Sequence, residues 1–159
     1  MAMTSIEPTE FREIGPLLIA GLKEHYTPDT MNRIPTQWER FRPYMGKIQG
    51  RVDQKTYGVC YNVSEGEFDY LTGVEVDDAA GLSGDLNSIQ IAPQRYAVFV
   101  HREHISKIKD TIEAIGKEWL PTAPYEPTET PAFFERYENY NPETGTGDIQ
   151  ICVPITERT

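Results

Sequence analysis

The sequence holds two cysteines, Cys60 and Cys152, far apart and outside any metal-ligand spacing. That excludes a zinc motif and a disulfide framework, and both read as small apolar strand residues in a reducing compartment. Basic runs are missing too. Lys and Arg number 15 against 25 Asp and Glu, for a formal net charge of −10, and they are scattered, as in RFR at 40–42. Direct nucleic-acid binding needs a concentrated basic surface and is not expected. No stretch approaches the roughly 18 apolar residues of a membrane span. The opening MAMTSIEPTEFREIG lacks a basic segment followed by an apolar one, so no signal peptide is expected and the expected location is the cytoplasm.

Catalytic signatures are equally sparse. No glycine-rich loop follows a strand and opens a helix, and GTGD at 145–148 reads as a turn. There is no G-x-S-x-G elbow and no Cys–His pair with a third partner. His101 and His104 stand three apart, but nothing nearby supplies a third ligand; they read as flanking a helix start. Neither a metal nor a cofactor is expected.

What is present is a foldable chain of 159 residues, 38% hydrophobic and 11% aromatic, enough for one domain with a core. A strand is predicted over EFREIGPLLIAGLKEHYT, interrupted at Pro16. In IPTQWERFRPYM, Ile34, Trp38, Phe41 and Met45 share a helical face, with Pro35 in the first turn and Pro43 at the end. TYGVCYNV and FDYLTGVEV read as strands; the first sets Tyr57, Val59, Tyr61 and Val63 on one face. AAGLSGDLNS is a loop, and SIQIAPQRYAVFVHRE a strand interrupted at Pro93. HISKIKDTIEAIGKEWLP carries the apolar stripe Ile105, Ile108, Ile112, Ile115 and Trp119, and Pro121 ends it. PTAPYEPTETP, with four prolines, reads as an extended connector before FFERYENY and DIQICVPIT, two strands around NPETGTG.

Each half of the chain thus runs strand, helix, strand, strand, over about 10–80 and 88–156 of one domain spanning 1–159. The fold class is α+β: two pseudo-symmetric βαββ halves, mostly antiparallel, with one main helix each and a ligand cleft between them. FFERYENY carries an anomaly. Alternation puts Phe133, Glu135 and Tyr137 on one strand face, so a carboxylate stands between aromatic rings. Burying it costs several kcal/mol without compensation. Such an acid suits a cation, attracted at reduced dielectric and by about 0.5–2 kcal/mol per ring through cation–π contact. Tyr96, Tyr57, Tyr61 and Tyr137 lie on candidate inner strands and could line a ligand.

The order YAVFVHRE, an Ile-rich helix ending in KEWLP, FFERYENY and a final ICVPI resembles the GyrI-like effector-binding domains, the ligand-binding module of AraC- and MerR-type regulators. The resemblance implies a pocket between two βαββ halves for a lipophilic, often cationic, small molecule. It matches the family's acid to Glu135, within Phe134, Glu135 and Tyr137, and its helix-end tryptophan to Trp119; His101 falls where the family often has histidine. The expected ligand-binding residues are Glu135, Tyr137, Trp119, Tyr96, Phe133, Trp38 and Tyr61. The regulators carry a helix-turn-helix segment before this module, whereas here the first predicted strand starts at Glu10. The expectation is therefore a stand-alone binding domain that sequesters a compound or presents it to a partner regulator. A small-molecule hydrolase using Glu135 as acid or base and Tyr137 to polarise the leaving group is the alternative. A protein-binding role against DNA gyrase, suited to an acidic surface, is the third.

Overall fold

The structure, a computed structural model, describes residues 6–82, 84–128, 133–141 and 143–157. The predicted first strand is two: β1 (Glu10–Ile14) and β2 (Leu17–Tyr26), parted at Gly15–Pro16. Helix α1 (Ile34–Phe41) follows, with a 3-10 turn on either side, at Met31–Arg33 and Arg42–Tyr44. Strands β3 (Thr56–Ser64) and β4 (Glu67–Glu75) form a hairpin, with β5 (Asn87–Ile91) and β6 (Gln94–His101) beyond it. Helix α2 (Ile108–Ala114) opens from a 3-10 turn and runs into a π-helical turn at Ile115–Trp119. Pro121 does not stop the chain's helical path at once: it sits in a further 3-10 turn, Leu120–Thr122, where an early proline needs no backbone donor. The proline-rich connector contains a short strand, β7 (Tyr125–Pro127), which docks on the end of the last strand; residues 129–131 of the connector lie outside the described residues. Strands β8 (Phe133–Asn141) and β9 (Thr146–Glu157) close the chain.

The architecture is α+β, with one antiparallel sheet in the order β1-β6-β9-β8-β3-β4-β2-β5 and β7 attached to β9. In each trio, β6-β9-β8 and β3-β4-β2, the strand last in sequence lies in the middle, and β8 pairs with β3 to join the trios. β1 and β2 do not pair with each other. β1 pairs with β6 and β2 with β5, in one register that continues unchanged past the two breaks. Gly15, at φ +110°, and Pro93 face each other there; a side chain at position 15 would stand 2.9 Å from Pro93 Cα. Residues 10–21 and 87–98 therefore form one ribbon bent at a shared point.

One face of the sheet buries Ile14, Leu17, Ile19, Tyr57, Val59, Leu71, Ile91, Tyr96, Val98, Phe134 and Cys152. The other carries the helices: Phe41 and Trp38 of α1 over Ala20, Val74 and Val76, and Ile115 and Trp119 over Ala97, Phe99, Ile151 and Val153. Among the described residues no helix is long and apolar enough to cross a membrane.

Candidate functional site

Glu135 lies on the helix-bearing face of β8, opposite Gly58 of β3 on one side and Ile151 of β9 on the other. It is only 6% exposed. Two hydroxyls meet its Oε1: Tyr70 of β4 donates at 2.6 Å and Tyr137 at 2.9 Å. Tyr70 reaches across β3 because Gly58 has no side chain; a Cβ there would collide with the Tyr70 hydroxyl and stand 2.8 Å from Glu135 Oε1. Among the described residues no Lys, Arg or His nitrogen lies within 4 Å of this carboxylate, whose side-chain hydrogen-bond partners are these two tyrosines. The neighbouring Arg136 points to the opposite face, where its Nε donates to Gln150 Oε1 at 2.8 Å. Burial raises the Glu135 carboxyl above its ordinary range, against the pull of the two hydroxyl bonds. The same burial, with the Glu135 charge beside them, holds Tyr70 and Tyr137 well above the usual phenol range, so both remain donors. The Cys60 thiol is pushed up to about 12 by burial and then by Glu135, which leaves it a neutral wall atom rather than a nucleophile.

Rings surround this acid. Trp38 of α1 meets Tyr137 edge-on at 5.1 Å, and Tyr140 also meets it edge-on, at 5.3 Å. Phe133, two residues before Glu135 on the same strand face, belongs both to the cluster of Tyr26, Cys60, Tyr70 and Trp38 and to the α2 cluster. Trp119 lies in that second cluster, edge-on to Phe99 at 5.1 Å and stacked on Tyr125, and Phe133 packs against the same cluster. Of the residues expected from sequence, Glu135, Tyr137, Trp38 and Phe133 come together, and Trp119 flanks them. Tyr96 and Tyr61 do not join them. Tyr96 is fully buried on the other face, edge-on to Phe134, and Tyr61 packs on that same cluster, because their strand parity directs them away from the helices. Phe134, adjacent to the acid in sequence, is there as well. His101 closes the end of β6, its ring nitrogens 2.8 Å from Thr111 Oγ1 and 3.0 Å from the His104 carbonyl. His104 caps the helical segment by accepting from the Ser106 amide.

Three participants escaped the sequence reading. Tyr70 is one; the glycine inside the β3 run was its only signal, since such a glycine marks a close approach. Gly58 is the second. The third is Gln37, fully buried in α1: it accepts from Tyr26 at 2.6 Å and donates to the carbonyls of Leu22 at 2.8 Å and Tyr70 at 3.0 Å. It bolts the helix that carries Trp38 to the strand that carries Tyr70. A polar residue between Ile34 and Phe41 on a packed helix was its mark.

An antiparallel sheet bearing two helices, with an acid and rings buried between them, has the form of a small-molecule binding domain. This chain belongs to the GyrI-like small molecule binding domain family, whose profile matches residues 7–156. Over 130 residues it is 30% identical to the transcriptional regulator BrlR of Pseudomonas aeruginosa, covering 80% of this chain and 47% of the regulator, so it spans about half the length of that relative. The fold is similar to that of SAV2435, solved bound to tetraphenylphosphonium, at a TM-score of 0.73 and 19% identity over 92% of this chain and 93% of that one. It is also similar to the C-terminal domain of EcmrR, at a TM-score of 0.64 and 14% identity over 94% and 97%.

Proposed function

We propose that the protein binds a lipophilic, cationic small molecule between two βαββ halves related by an approximate twofold. In this reading the halves cover residues 10–80 and 88–156 of one domain, Glu135 supplies the charge, and Tyr137, Trp38, Phe133 and Trp119 supply the walls. One observation carries it: a buried carboxylate held by two tyrosine hydroxyls, with no basic side chain within 4 Å among the described residues. A protein that neutralised this acid for stability alone would pair it internally or replace it with an apolar residue. A lipophilic cation supplies the missing charge and covers the rings it displaces. Tetraphenylphosphonium, found on SAV2435, is a cation of that chemistry. The output of binding, sequestration or presentation to a regulator, belongs to the same proposal.

The test is calorimetric titration with tetraphenylphosphonium and with neutral triphenylphosphine oxide, on wild type and Glu135→Gln. Cation affinity should fall at least about tenfold in the variant, as expected for a charge contact at reduced dielectric, while the neutral compound is unaffected. Equal cation affinity in both proteins would remove Glu135 from the site. Mass spectrometry of each mixture should return the compound intact; a compound consumed by wild type and spared by Glu135→Gln would make the protein a hydrolase.

A further inference from the structure

The two oxygens of Glu135 are not equivalent. Oε1 receives both tyrosine hydroxyls, from Tyr70 and from Tyr137. Among the described residues Oε2 receives no hydrogen bond, yet no buried side-chain oxygen or nitrogen there lacks a partner. Oε2 is therefore not fully enclosed, although Glu135 as a whole is only 6% exposed. The tyrosines hold the carboxylate by one oxygen and leave the other, with both its lone pairs, free to accept a donor.

From this asymmetry we propose that the site is built for a protic cation: an aromatic ligand whose charged nitrogen bears an N–H aimed at Glu135 Oε2. This rests on the binding function proposed above and narrows its ligand class. A quaternary ammonium or phosphonium can offer the carboxylate only charge. A protonated tertiary amine offers the same charge and a charge-assisted hydrogen bond, the stronger kind, to an oxygen that has no competing donor. The aromatic walls do not distinguish the two, since each attracts any cation. Discrimination is thus confined to one atom.

The probes are a matched pair, N,N-dimethyl-(2-naphthylmethyl)amine, protonated at neutral pH, and its N-methyl quaternary salt. Titration of wild type should show the amine binding about tenfold or more tightly than the quaternary salt, the scale of one charge-assisted hydrogen bond. Glu135→Gln should abolish that preference: the amide oxygen takes the two tyrosine hydroxyls, and an NH2 donor replaces the acceptor at Oε2. Tyr70→Phe, which alters Oε1 alone, should keep it. The 15N-labelled amine bound to wild type should show an N–H resonance protected from solvent exchange. Equal affinity of wild type for both probes, each weakened by Glu135→Gln, would overturn this inference and leave the cation site standing. A preference that persists in Glu135→Gln would assign it to the bulk of the extra methyl and overturn it as well. Failure of wild type to bind either probe while it still binds tetraphenylphosphonium would overturn this inference alone; failure to bind all three cations would overturn both readings. Should Glu135→Gln not fold, absence of the protected N–H resonance in the wild-type complex is decisive against the hydrogen bond.

Discussion

At the scale of single residues, Glu135 couples stability to pH. Its folded-state pKa is raised, chiefly by burial. The folded protein therefore binds the proton more tightly than the unfolded chain, and this contribution is fully present below the ordinary carboxylate range. It is lost as pH rises through the raised folded value. Glu135→Gln has no such term, so the melting temperature of the variant relative to wild type should climb between pH 4 and pH 8. A flat difference across that range would show the carboxylate to be solvated. Tyr70→Phe acts in the opposite sense at neutral pH: it strips one of two donors from a buried charge and should cost about 1–3 kcal/mol in chemical denaturation. Combined with Glu135→Gln it should cost much less, because the hydroxyl and the carboxylate are one interaction. FFERYENY made the acid legible, since alternation alone puts Glu135 between Phe133 and Tyr137. Tyr70 was not legible, because its bond to Glu135 spans a separation of 65 residues and two strand pairings.

At the scale of elements, the β3 strand does its work at Gly58, by having no side chain. Gly58→Ala should destabilise the fold by about 1–3 kcal/mol, since a Cβ meets Tyr70 and Glu135 and the core has no slack to yield. It should also weaken cation binding, as both groups are displaced. Gly116 is the control: nothing lies within 4 Å of its Cβ position on the exposed side of the π-helical turn, and Gly116→Ala should gain about 0.5–1 kcal/mol. Thermal and denaturant unfolding of the two variants would separate close approach from glycine's backbone cost. Most elements followed from pattern. Of the Ile105, Ile108, Ile112, Ile115 and Trp119 stripe, the last four pack on the sheet while Ile105 lies in the 3-10 turn before α2 and outside that cluster, and Trp38 and Phe41 face the sheet from α1. Val63 departs from its predicted face: Asn62 has φ +54°, the β3–β4 register shifts after Tyr61, and Val63 ends exposed. β7 was missed because the prolines in and around it imitate a linker, while its stability comes from an edge pairing with β9 that composition does not encode.

At the scale of the whole molecule, the two sheet faces divide the aromatic residues into those that meet the acid and those that do not. Tyr96→Phe, whose hydroxyl accepts only from Gln94 Nε2 at 3.1 Å among the hydrogen bonds described, should leave cation affinity unchanged, as should Tyr61→Phe. A loss of binding in either would mean that the ligand enters on the face away from the helices. Composition, strand parity and helical stripes by themselves determined the α+β class and the anomaly at Glu135; these are local properties, readable within a dozen residues. Tertiary structure alone decided that β1 pairs with β6 and β2 with β5, that Gln37 ties α1 to the strand of Tyr70, and that Tyr70 and Tyr137 share one oxygen of Glu135. The reason is physical: parity states which residues share a face of one strand, but only the order and register of the strands state whose faces coincide.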